Sequence, residues 1–275
     1  MAKGISLHIG LNRIDPNHYG TDGALSLCEA DAQDMHQIAQ ASGFSGNILL
    51  TDAATRDAVR TGIQDAARAL SSGDLFFLSY AGHGAQVPDT NGDEEDGRDE
   101  TWCLYDGMLI DDELKTLWKT FKPGVCVLSI SDSCHSGTVS RAPDWLSMPV
   151  ESSLTPRYLP EEVSFRAFRT NRGFYEDVLE KLKELLAQTA SSPGAADTSV
   201  LLLAGCQDNQ KSYEKGQNGM FTSALLSVWN EGQFKGDYAK FYSKICSRMP
   251  SYQSPNLDKQ GANIEAFVVK TPFTI

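Results

Sequence analysis

Two apolar runs constrain this chain more than any other feature. Leu75-Phe-Phe-Leu-Ser-Tyr80 and Val125-Cys-Val-Leu-Ser-Ile-Ser131 are almost continuous, the pattern of strands covered on both faces. Each breaks into a short stretch of small and polar residues: Ala81-Gly-His83-Gly84 after the first, Asp132-Ser-Cys134-His-Ser-Gly137 after the second. Further strand-like runs at 5–10, 47–50 and 199–204 alternate with segments of helical spacing at 24–42, 55–70, 114–121, 174–188 and 222–229. Strand alternating with helix implies right-handed crossovers and a mostly parallel central sheet flanked by helices on both faces, an α/β fold. Two segments break the rhythm. Residues 86–100 are polar and acidic and lead into a hairpin over 101–110 around Asp106-Gly107. Residues 138–172, rich in Pro, Ser and Arg, show no period and are too long for an ordinary connection, the pattern of a functional lid or a disordered segment.

The 275 residues suffice for one large domain or two small ones. No apolar run approaches the roughly 20 residues of a membrane span. The N-terminus leads directly into a strand without the apolar core of an export signal, so a cytoplasmic location is expected. A net charge of -12 argues against nucleic acid or an anionic membrane as partner and suits a cationic ligand. Six cysteines without a paired CxxC spacing read as free thiols, and only Cys134 lies in a setting that suggests reactivity.

His83 and Cys134 carry the chemistry. A thiol needs a base to become a thiolate near neutral pH, and an imidazole is the usual one. Residues just past the carboxyl ends of parallel strands line the crevice where open α/β sheets bind and react. His83 is then general base and later acid to the leaving amine, with Cys134 the nucleophile. The glycines beside His83 admit a substrate carbonyl, and the backbone N–H groups of Gly84 and Cys134 are candidates for an oxyanion hole. The reading is a cysteine endopeptidase. Two competing motifs fail on count. Ser140 stands where a tyrosine-phosphatase loop needs Arg, and Glu94 stands where an EF-hand loop needs Gly.

Tyr80-Ala-Gly-His83-Gly, Asp132-Ser-Cys134-His-Ser-Gly and Gly219-Met-Phe-Thr222 together resemble the caspase-like peptidases, in particular the metacaspases and orthocaspases. The resemblance covers nearly the whole chain. It implies a single caspase-like domain over 1–275, with a large-subunit-like part to about 145, a loop over 146–175 and a small-subunit-like part over 176–275. It also implies an S1 pocket built from Cys28, Asp31, Ala81 and Asp132. Two carboxylates there would bind a basic residue, so cleavage after Arg or Lys is expected, of peptide or protein substrates, by a monomer. No cofactor is required by the resemblance, but it implies a calcium site at Asp99, Asp111 and Asp112, with Arg141 replacing its fourth carboxylate. Self-cleavage within 138–172 is expected at Arg141, Arg157, Arg166, Arg169 or Arg172. The rival readings are a non-catalytic caspase-like binding module and a calcium-sensing domain.

Overall fold

A computed structural model describes residues 2–89, 92, 94, 97–134, 154–190, 198–207 and 210–275. Strand β1 (Gly4–Gly10) passes through the short helix α1 (Pro16–Tyr19) to α2 (Cys28–Ala41), β2 (Ser45–Leu50), α3 (Arg56–Ala69) and β3 (Leu75–Ala81). A small antiparallel sheet follows, β4 (Gly84–Pro88), β5 (Arg98–Leu104) and β6 (Gly107–Ile110), then α4 (Asp111–Trp118) and β7 (Cys126–Asp132). Beyond residue 153 come β8 (Thr155–Pro156), α5 (Glu161–Thr170), α6 (Arg172–Ala190) and β9 (Ser199–Ala204). The chain closes with the hairpin β10 (Tyr213–Lys215) and β11 (Asn218–Gly219), helices α7 (Met220–Trp229) and α8 (Tyr238–Cys246), β12 (Asn256–Gln260) and α9 (Ile264–Val268).

The central sheet has six strands in the order β12-β9-β7-β3-β1-β2, parallel except for β12, which runs antiparallel at the edge. Side chains alternate across the inner strands. Phe76, Leu78 and Tyr80 enter one core with Val59, Ile63 and Leu117 of α3 and α4. Leu75 and Phe77 enter the other with Met35 and Ile38 of α2 and with residues of α7, α8 and α9. Both faces are therefore covered, which is why the strands read as unbroken apolar runs. The chain turns outward from β1 to β2 and then returns to the other side with β3, so β1 and β3 flank a topological switch point, the place where such sheets bind ligands. Register brings Gly10, Ala81 and Asp132 level at the carboxyl edge.

The structure corrects several sequence expectations. The helix expected over 24–42 starts only at Cys28, because Asn12 Oδ1 accepts from the N–H groups of Cys28 and Glu29 and caps it there. Helix α4 starts at Asp111, three residues early, where Glu113 accepts from the backbone N–H of Ile110. The hairpin turn is Tyr105-Asp106, with Gly107 opening β6. The stretch 138–172 is not aperiodic throughout: Glu161–Thr170 is helix α5, buried through Ser164 and Ala167. Among the described residues no helix is long and apolar enough to cross a membrane. All six cysteines are free thiols.

Candidate active site

His83 lies two residues past β3 and Cys134 two past β7, on neighbouring strands. Both are buried. His83 Nε2 is 2.9 Å from the carbonyl oxygen of Gly23, which can only accept, so Nε2 carries the proton and Nδ1 is the basic nitrogen. Nδ1 has no hydrogen-bond partner. Burial lowers the imidazole to about 4, the Gly23 carbonyl pulling the other way, so the ring is neutral at neutral pH. Gly23, at φ +51°, lets its backbone approach the ring: a Cβ there would come 3.2 Å from His83 Cδ2. Cys134 Sγ accepts from the backbone N–H of Ser212 at 2.6 Å and donates to the Ser212 carbonyl at 3.3 Å. The two candidate catalytic side chains do not hydrogen-bond to each other.

The N–H groups of Gly84 and Cys134 converge on one atom, the carbonyl oxygen of Arg157, each at 3.1 Å. Gly84 must be glycine, since a Cβ would lie 1.6 Å from the carbonyl oxygen of Cys134. The segment carrying Arg157 runs extended through the cleft. On one side β8 pairs antiparallel with β10, Thr155 opposite Glu214 and Pro156 opposite Tyr213, and the Arg157 N–H donates to Ser212 O at 2.9 Å. On the other, Tyr158 bridges to Gly84 in parallel and the Leu159 N–H donates to Gly84 O at 2.9 Å.

The Arg157 side chain, fully buried, ends among three carboxylates. Nη2 donates to Asp31 Oδ2 and lies 3.4 Å from Glu214 Oε1, while Nη1 is 3.1 Å from Asp132 Oδ2 and 3.2 Å from the Asp132 carbonyl. Each acid is held in turn. Asp31 accepts from Asn218 Nδ2 and the Gly219 N–H, and Asp132 from the Ser212 hydroxyl and from Thr222 N and Oγ1. Glu214 accepts from the N–H groups of Ser26 and Leu27 ahead of α2. Burial raises Asp31 to about 6; the guanidinium pulls it back and Asp132 pushes it up again. Gly219 forms the floor: a Cβ would sit 2.5 Å from Arg157 Nη1 and 2.7 Å from Cζ.

A family model described as the caspase domain matches residues 10–269. The chain belongs to the caspase domain family. It is similar to metacaspase-1 of Mycosarcoma maydis, at 30% identity over 78% of this chain and 61% of that protein. It is also similar to metacaspase-1 of Schizosaccharomyces pombe, at 29% over 78% and 57%. It thus spans about three-fifths of the length of these curated relatives. A crystal structure of a Geobacter sulfurreducens protein superimposes with a TM-score of 0.87 at 47% identity, covering 99% of each chain. These matches show the caspase fold, and the curated relatives the chain resembles are metacaspases.

The structure brings His83, Gly84, Cys134, Asp31 and Asp132 together around Arg157. Cys28 reaches the same pocket through Glu214, Sγ to Oε1 at 3.6 Å, and Ala81 packs behind it with Leu25. Glu214, Ser212, Asn218 and Gly219 are pocket residues that sequence reasoning does not single out. They sit on or beside strands of two and three residues, too short to show a period, though Gly219 opens the Gly-Met-Phe-Thr motif. Arg166 and Arg169 lie on α5 and Arg172 begins α6, so none of the three is in extended chain, and Arg141 lies outside the described residues.

Two of the three expected calcium ligands, Asp111 and Asp112, already face a side-chain cation. No group of three or more metal-ligating side chains occurs among the described residues, so Asp99, Asp111 and Asp112 do not form one. Lys115 Nζ lies 2.8 Å from Asp111 and 3.5 Å from both Asp112 and Glu94. An ammonium thus supplies positive charge beside Asp111, Asp112 and Glu94.

Proposed function

We propose that this chain is a cysteine endopeptidase that hydrolyses peptide bonds after Arg or Lys, with Cys134 as nucleophile and His83 as base. One observation carries the reading: a single arginine puts its carbonyl on the Gly84 and Cys134 N–H groups and its side chain on Asp31, Asp132 and Glu214. That is how a substrate's basic residue would have to lie for attack at its own carbonyl carbon. The N–H pair would hold the oxyanion as it forms, being already aimed at the oxygen. His83 Nδ1 takes the thiol proton and returns it to the leaving amine. The Ser212 N–H on Sγ favours negative charge on the sulfur. The acids at the pocket's end suit a forked guanidinium better than the point charge of Lys, so Arg is preferred. The partners are peptides and proteins with a basic residue before the cut, and a reducing compartment such as the cytoplasm keeps Cys134 a thiol.

Turnover of short fluorogenic peptides ending in Arg, Lys or Asp tests this. Arg should lead, Lys should follow, and Asp should be inert. Faster cleavage after Asp would refute the pocket assignment.

A further inference from the structure

We infer that Tyr80 and Trp102 are positioning residues of the oxyanion hole: stacked on each other, they fix from behind the two peptide groups whose N–H groups receive the substrate's oxygen. The inference rests on the peptidase reading above and adds the means by which its two donors are kept aimed. A trans peptide is planar, with its carbonyl and its N–H pointing in opposite directions. Holding the oxygen at one end therefore aims the hydrogen at the other. The Gly84 N–H belongs to the peptide whose carbonyl is that of His83, and the Cys134 N–H to the peptide whose carbonyl is that of Ser133.

The first peptide is held by Tyr80. Its hydroxyl lies 2.7 Å from the His83 carbonyl oxygen and 3.1 Å from that of Cys103. Both oxygens can only accept, so the single phenolic proton is given to them. The Cys103 N–H donates to the same His83 oxygen at 2.9 Å. Burial raises the phenol well above its ordinary range, with Cys103 and Cys28 adding to the shift, so it stays a donor near neutral pH. Gly82 makes room for it: a Cβ there would lie 2.5 Å from the Tyr80 hydroxyl oxygen and 2.8 Å from Cζ.

The second peptide is held through Trp102. Its indole stacks on the Tyr80 ring with centroids 4.5 Å apart and planes 6° from parallel. Nε1 donates to Ser131 Oγ at 3.1 Å, and Ser131 Oγ is 2.9 Å from Ser133 Oγ, on the residue that supplies the second carbonyl. Cys206 Sγ donates to that carbonyl at 3.4 Å. Tyr80, Trp102, Ser131 and Ser133 are all buried. Across β4 and β5, Trp102 is also the pairing partner of Gly84. Buried Tyr and Trp usually find a hydrogen-bond partner, so satisfaction alone would not single them out. What does is where the partners lie: both are on the two loops that bear the oxyanion donors, and one stacked contact ties those loops together.

The test uses the full chain and Tyr80→Phe, which removes the hydroxyl and keeps the stack. Losing an oxyanion donor outright costs about 10²–10³ in kcat, and misaiming one should cost less. With arginyl peptides kcat should fall at least fivefold while KM stays within twofold, because the hole is filled only as the oxyanion forms. A peptide arginyl aldehyde puts its oxygen in the hole once the Cys134 sulfur adds to its carbon. Its inhibition constant should therefore rise by the factor by which kcat/KM falls. Benzamidine, which needs only the acids of the pocket, should bind within twofold of its affinity for the unmodified chain. Trp102→Phe keeps an aromatic ring, loses the Nε1 donor and should show the same split. The double variant should lose less than the product of the two single losses, since both act on one stacked unit. Should Tyr80→Phe fail to fold by circular dichroism, Trp102→Phe carries the test by the same three readouts. A fall in kcat of less than fivefold, a loss carried by KM, or an equal weakening of benzamidine would overturn this inference and leave the peptidase reading standing. An unmodified chain that hydrolyses no arginyl peptide and whose Cys134 takes up no aldehyde would overturn both.

Discussion

Gly219→Ala isolates the floor of the pocket. The backbone at Gly219 is not left-handed, so alanine is tolerated in conformation and only the added methyl matters. That methyl would sit 2.5 Å from the guanidinium Nη1 and 2.3 Å from Asp132 Oδ2. Carbon and nitrogen pack at about 3.5 Å, so the guanidinium must withdraw by about 1 Å. Its two Nη1 contacts, at 3.1 and 3.2 Å, then stretch past hydrogen-bonding distance. Hydrogen bonds to charged groups contribute about 1.5–3 kcal/mol each, so losing both costs at least about 3 kcal/mol. That is roughly a 150-fold fall in kcat/KM for an arginyl peptide. A lysyl peptide, whose ammonium is a compact point rather than a plane, should fall less, so the Arg:Lys preference narrows. The assay is kcat/KM for matched arginyl and lysyl peptides, with a thermal melt to register any overpacking of the variant, on the order of 1–3 kcal/mol. A loss below threefold in a folded variant would show that the guanidinium does not lie on this floor.

Asp132→Asn should lower arginyl turnover by at least about 2 kcal/mol, some thirtyfold, since a buried guanidinium loses one of its charged partners; equal kcat/KM in the variant would contradict that. His83→Ala should remove most turnover without unfolding the chain, and undiminished turnover would strip it of the role of base. Acid sensitivity should come in part from His8, which burial, with His36 nearby, lowers to about 3. Between that value and the ordinary 6.5 the unfolded chain binds a proton that the folded chain does not, so stability falls as pH drops through this window, by up to about 1.4 kcal/mol per pH unit. His8→Gln should therefore lose about 2 kcal/mol less than the unmodified protein between pH 7 and 5 in denaturant melts, and identical losses would refute it. With Lys115 already among Asp111, Asp112 and Glu94, removing calcium with a chelator should leave peptide turnover within twofold; a tenfold calcium stimulation would contradict this.

The parts of the site that sequence reveals are those tied to regular strands. His83, Gly84, Asp132 and Cys134 follow apolar runs that announce where the sheet ends, and two strands laid in parallel bring their ends level. Asp31 is reached only through resemblance, since a helix position alone does not say what it faces. Glu214 and Gly219 escape notice because β10 and β11 are too short to carry a period, and their partners lie far off along the chain: Glu214 meets Ser26 188 residues away. Helix α5 is hidden in the sequence although Pro160-Glu161-Glu162 is a fair helix start, with acids in the first turn. The density of Pro, Ser and Arg around it masks ten residues of periodic packing. Composition also makes Arg157 one of five equivalent arginines. The pairing of its main chain with both walls of the cleft separates it from Arg166, Arg169 and Arg172, the other candidates with described structure.

The most direct test of the central claim is to find where an arginyl chloromethyl ketone attaches. One adduct is predicted, on Cys134, blocked by an excess of arginyl peptide, with the aspartyl analogue at least a hundredfold slower. Adducts spread over the other cysteines, or equal rates for the arginyl and aspartyl reagents, would contradict it.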